Sequence, residues 1–284
     1  MIAIIGNGCV GKGLAYLLND IGIEVTLLGR SGPVSCDQGV KVSDQPLGKL
    51  KLGARRSTAT EDFDLVLVTV KAYSLLEAAE QHFPAFSPGT TVVCLTNGYV
   101  VPEINELAKI FPQLTLRAGV VRIGFKENSG CLEISSTKGG VSWGPIAGSN
   151  NSSRSEQELL ETSLCNWVDD PLRLIREKWL QNVVINHLSV YFSSKKNLDL
   201  IAHSETVAEV YSEAYGFGEE LWGTWEFSEV EGYQDLVKLI RLTSDNENSM
   251  MCDTRLGRQT EAKFLAGIVG SRDGYPWLSR FAGY

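Results

Sequence analysis

Residues 1–145 alternate short apolar runs with longer amphipathic stretches, the pattern of strands joined by covering helices. The apolar runs predict strands over Ile2–Ile5, Glu24–Leu28, Asp64–Val70, Thr91–Leu95 and Leu114–Val121. Their near-continuous Val, Ile and Leu content suits a mainly parallel sheet buried on both faces. Between them, Lys12–Asn19, Ser74–Gln81 and Pro102–Ile110 read as helices, with Pro102 early in its helix, where a missing N–H costs little. A polar loop over 148–153 precedes another amphipathic helix, Ser155–Leu164. At Asp169-Asp170-Pro171 the pattern changes to long helical periodicity, clearest over Leu172–Phe192, Ser204–Tyr215 and Val230–Leu242. The chain therefore divides into an α/β domain over 1–169 and a mostly α-helical domain over 170–284, with no internal repeat. A dense group of aromatic residues between Tyr211 and Tyr233 is read as helix packing.

Composition narrows the class. The 284 residues carry 26 Lys and Arg against 34 Asp and Glu, for a formal charge of -8, and 43% are hydrophobic. These fractions exclude disorder and a small disulfide scaffold, and the acidic balance argues against a nucleic-acid partner. No apolar run approaches the roughly 20 residues needed to cross a bilayer, and MIAIIGNGCV breaks at glycine after a short apolar run, unlike a secretory signal. Six cysteines without a CxxC pair, and three histidines without ligand spacing, point to reduced thiols, a cytoplasmic location and no structural metal. Asn150-Asn151-Ser152 matches a glycosylation acceptor in form only and is read as part of the polar loop.

The most specific local signal is Gly6-Asn7-Gly8-Cys9-Val10-Gly11, directly after the first strand and opening a helix. In a GxGxxG turn the first glycine permits the tight turn, the second lets a pyrophosphate approach the backbone, and the third lets helix and strand pack closely. The free N–H groups at the helix start then favour the phosphates. This context predicts a Rossmann-like dinucleotide-binding domain. At the end of the second strand, where an NAD enzyme places a carboxylate for the ribose hydroxyls, stands Leu28-Gly29-Arg30-Ser31. Arg30 suits a 2′-phosphate and favours NADP, the alternative being a solvated arginine at a strand end. Lys71 and Asn97 follow later strands, where ligands of open α/β sheets bind, so both are candidates to meet cofactor or substrate.

In the helical half, Lys178, Asn182 and Asn186 recur every four positions and share one helix face among Trp179, Val183, Val184 and Ile185. Polar groups on so apolar a helix need partners, either in neighbouring helices or in a bound polar ligand. Downstream, NENSMMCDTRLGRQTE over Asn246–Glu261 concentrates polar groups. Its spacing fits two helices meeting at a turn near Gly257 or one helix kinked there, with Asp253, Arg255 and Arg258 read as a structural ion-pair network.

Taken together, GNGCVG, Arg30, VTVKAY around Lys71, LTNG around Asn97, KWLQNVVIN from Lys178 to Asn186 and the Asn246–Glu261 segment resemble the ketopantoate reductases. The resemblance implies NADPH-dependent reduction of a 2-keto acid, 2-dehydropantoate, to its 2-hydroxy acid in pantothenate biosynthesis. It implies Lys178 as general acid and Glu261 as the carboxylate orienting lysine and substrate. Asn246 and Ser249 would bind the substrate carboxylate region, and Asn182 and Asn186 its oxygen. Lys71 and Asn97 would lie beside the nicotinamide ribose, with no metal required. The substrate is expected between the two halves, in a monomer or homodimer.

The chain departs from the family pattern at His187 in place of the usual Pro, at the offset Asn197-Leu198-Asp199-Leu200, and at Lys263 and Ala266 after Glu261. It also stops at Tyr284, short of the family's usual last helix. The alternatives are a reductase of another small 2-keto acid, an opine-type dehydrogenase, or a non-catalytic NADP sensor; retention of Lys178 and Glu261 argues against the last.

Overall fold

The structure, a computed structural model, describes all residues except 31–33, 43–44, 56–61, 129, 136–138, 149–150, 271 and 284. Residues 34–38, 42, 45–55 and 128 enter through their backbone alone. Ser31, beside Arg30, and Ser149 and Asn150 of the polar loop therefore lie outside the described residues. Two compact units result, Met1–Leu174 and Ile175–Tyr284.

The first unit is built on one mixed sheet. In chain order the described strands are β1 (Ile2–Ile5), β2 (Val25–Leu28), β3 (Val34–Val42), β4 (Gln45–Arg55), β5 (Leu65–Val68), β6 (Thr91–Cys94), β7 (Thr115–Val121), β8 (Phe125–Asn128), β9 (Cys131–Ile134), β10 (Val141–Ala147) and β11 (Cys165–Trp167). They lie in the order β11-β10-β7-β6-β5-β1-β2-β4-β3-β9-β8. The central strands β7, β6, β5, β1 and β2 run parallel. Every residue of β1, β5, β6 and β7 is buried, in keeping with their mostly apolar runs, and β7 buries Arg117 as well. Helix α1 (Cys9–Asp20) buries Leu14, Ala15, Leu17 and Leu18 against this sheet. Helices α2 (Leu75–His82), α3 (Val101–Ile110) and α4 (Arg154–Leu160) complete the unit.

Six strands go beyond those read from the apolar runs. The hairpin β3–β4 pairs antiparallel from Val34 with Ala54 to Val42 with Gln45, and adds to β2 through β4. Its alternating, glycine-containing sequence has no continuous apolar run, because it lies outside the doubly covered centre. Strand β10 holds Gly144 and Pro145, residues that normally count against a strand, and bulges between Pro145 and Ala147. Helix α4 stops at Leu160, short of the expected Leu164. The Thr162 hydroxyl donates to Leu159 O at 2.6 Å and accepts from Leu164 N at 3.3 Å, turning the chain into β11. Beneath α4 lies a fully buried ion pair, Arg117 Nε to Glu156 Oε1 at 3.4 Å, with Trp143 Nε1 donating to the same oxygen at 2.8 Å.

The second unit is helical: α5 (Pro171–Tyr191, entering from the first unit), α6 (Ser204–Trp222), α7 (Glu229–Leu242), α8 (Ser249–Arg255) and α9 (Pro276–Phe281). Three 3-10 segments, Asn197–His203, Ala262–Phe264 and Ala266–Val269, connect them. Helix α6 continues from Tyr215 to Trp222 through Gly216 and Gly218. A Cβ on Gly218 would stand 2.2 Å from the Trp225 ring, so glycine lets the aromatic cluster close over the helix. Rings of Tyr211, Tyr215, Trp222, Trp225, Phe227 and Tyr233 pack at centroid distances of 5.5 to 6.2 Å. Glu213 of α6 accepts from Trp277 N at 3.1 Å and Leu278 N at 2.6 Å, supplying the cap that the start of α9 lacks locally.

The segment around Gly257 follows neither form expected for it. Helix α8 ends at Arg255, Gly257 takes the left-handed conformation (φ +62°), and a 3-10 segment follows rather than a second α-helix. Arg255 forms its two-pronged pair with Glu247, Nε to Oε1 and Nη2 to Oε2 both at 3.1 Å. Arg255 thereby pairs with a neighbour upstream of the helix that the sequence reading did not include, and Arg258 N donates to Asp253 O at 2.8 Å.

Candidate active site

In the first unit, strand register alone aligns the loops that carry the candidate residues. Ile5 pairs with Leu28 of β2 and Val68 of β5, and Val68 pairs with Cys94 of β6. Beyond these aligned positions the chain reaches Gly8, Arg30, Lys71 and Asn97 within three residues in every case. All four loops therefore leave the carboxyl edge of the central strands, where open α/β sheets bind ligands.

The glycine turn has the shape a pyrophosphate needs. Gly6 has φ +115°, a conformation costly for any side chain. A Cβ on Gly11 would stand 1.8 Å from Gly6 O, whereas one on Gly8 would meet nothing within 4 Å. Gly11 is thus required for packing, and Gly8 faces open space. Helix α1 starts at Cys9, so Cys9, Val10 and Gly11 form its first turn, with no side-chain cap and no acidic residue. Its leading N–H groups remain available to an anion, which is the fit a dinucleotide requires. Burial, aided by Glu127, raises the Cys9 thiol above its ordinary range, so it stays protonated and contributes backbone rather than a nucleophile.

Arg30 is solvent-exposed, and its Nη1 lies 3.8 Å from Glu77 Oε2 on α2. This acidic neighbour lies far along the chain from Arg30 and has no local signal. Lys71 is half-buried, with extended backbone (φ −64°, ψ 148°), and its carbonyl accepts from Ser74 N at 2.8 Å. Asn97 precedes Gly98, whose φ of +90° turns the chain away from the sheet edge.

In the second unit, Lys178, Asn182 and Asn186 lie one above another on α5. Lys178 and Asn182 are half-buried and Asn186 is 4% exposed. Trp179 Nε1 donates to Leu265 O at 3.0 Å, so the residue beside Lys178 is tied to the segment that begins at Glu261. Glu261 is 5% exposed, and its carbonyl accepts from Phe264 N at 2.9 Å. Ser249 is exposed as the first residue of α8, capped by Asn248 Oδ1, which accepts from Met251 N at 2.9 Å. Asn246 is half-buried, and its carbonyl accepts from Asn197 N at 2.9 Å while Asn197 Nδ2 donates to Thr243 Oγ1 at 2.9 Å. Asn197, in the offset segment, thus braces the strand of chain that carries Asn246. His187 is fully buried and stacks on Phe281 with ring centroids 5.0 Å apart.

A Rossmann-like sheet with an anion-accepting glycine turn, followed by a helical domain with a lysine–asparagine stripe, defines a dinucleotide-dependent oxidoreductase. The family model described as ketopantoate reductase PanE/ApbA matches residues 2–148, and its C-terminal counterpart matches residues 170–271. The chain belongs to the ketopantoate reductase family, whose members act on a CH–OH group. It is 23% identical over 270 residues to a 2-dehydropantoate 2-reductase of Shigella flexneri, covering 94% of this chain and 86% of that protein. A 2-dehydropantoate 2-reductase structure from Geobacter metallireducens superposes with TM-score 0.81 at 20% identity, covering 99% of this chain and 97% of the other. A D-mandelate dehydrogenase bound to NADH and anilino(oxo)acetate superposes with TM-score 0.80 at 17% identity, covering 100% and 97%. The fold is thus shared by reductases of different substrates. Among the described residues no helix is long and apolar enough to cross a membrane.

Proposed function

We propose that this chain reduces 2-dehydropantoate to pantoate with NADPH. The observation that carries the reading is the retained stripe of Lys178, Asn182 and Asn186 on a helix tied through Trp179 to the Glu261 segment. Gly6 to Gly11 would hold the pyrophosphate, Arg30 the 2′-phosphate, and Lys71 and Asn97 the nicotinamide ribose. The bound dinucleotide supplies a hydride to the keto carbon. Negative charge then develops on the keto oxygen, where the Lys178 ammonium stabilises it and delivers a proton. Asn182 and Asn186 hold that oxygen, Asn246 and Ser249 hold the carboxylate region, and Glu261 orients the lysine and the substrate. Cys9, Cys94, Cys131, Cys165 and Cys252 are not joined in disulfides, which suits a cytoplasmic enzyme.

Lys178→Ala tests the assignment. General acid catalysis contributes about 10² to 10⁴ in rate, so kcat should fall at least about 100-fold while NADPH affinity stays within a few-fold. Near-parental turnover would refute the acid role. A second reading, reduction of another small 2-keto acid, is favoured by exposed Lys263 and buried Ala266 close behind Glu261, both departures from the family pattern. A panel of 2-keto acids with NADPH separates the two by kcat/KM, and dinucleotide binding without turnover on any of them would indicate a sensor.

A further inference from the structure

We propose that Thr69 is a positioning residue for the dinucleotide phosphates, acting through its hydroxyl on the Gly6–Gly11 turn. The proposal rests on the dinucleotide reading of that turn. Thr69 directly follows β5, and three pieces of chain converge on its side chain. Its Oγ1 lies 3.0 Å from Ile5 O and 3.4 Å from Gly6 O, so the single hydroxyl proton is shared between successive carbonyls at the end of β1. Its backbone N donates to Ile5 O at 2.8 Å, which sets the register of the contact. A Cβ on Gly6 would stand 2.8 Å from Oγ1 and one on Gly11 would stand 2.7 Å from it. The hydroxyl therefore occupies the space that both glycines leave free.

These contacts determine where the turn's N–H groups point. A peptide unit is planar and trans, so fixing a carbonyl on one side directs the following N–H to the other. In the Ile5–Gly6 unit the carbonyl faces Thr69, and the Gly6 N–H accordingly donates to Leu28 O at 2.9 Å, closing the strand end. In the next unit Thr69 Oγ1 holds Gly6 O, which turns the Asn7 N–H away from β5. Asn7 and Gly8 are exposed, on the stretch of turn that faces open space. The β-branched side chain of threonine is stiff about its first torsion, which makes its hydroxyl a fixed strut.

The discriminating comparison is Thr69→Val, which keeps shape and removes the hydroxyl, against Thr69→Ser, which keeps the hydroxyl. Affinities for NADPH and NADH are read by fluorescence titration of the full chain, with melting temperature recorded in parallel. One hydrogen bond to a positioned backbone contributes about 0.5 to 1.5 kcal/mol, so Thr69→Val should weaken binding roughly 3-fold to 10-fold. The loss should be equal for NADPH and NADH, because the pyrophosphate is common to both, and kcat at saturating NADPH should change little. Thr69→Ser should recover most of the affinity. Parental affinity in Thr69→Val, or equal weakening in both variants, would overturn the proposal. A parent chain that binds neither dinucleotide would instead overturn the reading on which it rests.

Discussion

His187 should make the helical unit sensitive to mild acid. The ring is fully buried. Its Nδ1 lies 2.8 Å from Val183 O, which can only accept, so Nδ1 carries the proton in the neutral form. Nε2 is buried with no hydrogen-bond partner, and a second proton there would be a desolvated charge stacked on Phe281. Burial accordingly lowers the pKa from 6.5 to about 4, despite the opposing bond to Val183. Between these values the unfolded chain binds a proton that the folded chain refuses, so stability is complete above pH 6.5 and declines as the pH falls toward 4. Each tenfold difference in proton affinity is worth about 1.4 kcal/mol, so the loss is about 2 kcal/mol at pH 5 and about 3 kcal/mol at pH 4. His187→Leu has similar volume and no titration. Urea unfolding read by hydrogen exchange of α5 amides isolates this unit, which matters because a chain of two compact units need not unfold in one step. Moving from pH 7.5 to 5.0, the parent should lose about 2 kcal/mol more than the variant. Any offset present at both pH values cancels, as do the carboxylates common to both proteins. Equal pH dependence in the two would show that the imidazole is not held neutral, and the argument from its burial would fail.

Arg30→Ala should weaken NADPH about 10-fold to 100-fold and leave NADH nearly unchanged, since a charged hydrogen bond contributes about 1.5 to 3 kcal/mol; equal affinities in the parent would remove the basis for an NADP preference. Glu77→Gln should raise the NADPH-to-NADH preference a few-fold in the same titration, because the carboxylate beside Arg30 repels a 2′-phosphate. Ser249→Ala should raise KM for the keto acid roughly 10-fold with little change for NADPH, while Glu261→Ala should lower both kcat and kcat/KM; parental kinetics in both would make this segment structural. Ser193 has φ +52° in the turn after α5, so Ser193→Gly should stabilise the helical unit by about 1 kcal/mol in urea unfolding, and a destabilised variant would contradict that assignment of strain.

The parts of this molecule legible in its sequence are those whose cause is local. A strand buried on both faces is mostly apolar, so β1, β5, β6 and β7 could be read directly, whereas the partner that lets Arg117 sit buried in β7, Glu156, lies far along the chain. The glycine turn could be read because helix start, strand end and phosphate chemistry all constrain the same six residues. The Lys178 stripe follows from helical period alone. What escaped was set by distant chain. Nothing near Arg30 announces Glu77, and nothing near Gly6 announces Thr69, although Thr69 lies in the same VTVKAY run that marks Lys71. The added strands escaped for another reason. A hairpin such as β3–β4 is stabilised by pairing onto an existing edge, so its sequence need satisfy only alternation and a turn. The same logic explains the segment after α8: once Gly257 turns left-handed and Trp179 holds Leu265 O, a short 3-10 path suffices to carry Glu261. Candidate residues could therefore be named from local pattern, whereas the contacts that position them, such as Thr69 against Gly6 and Glu77 beside Arg30, depend on partners that only the fold brings near.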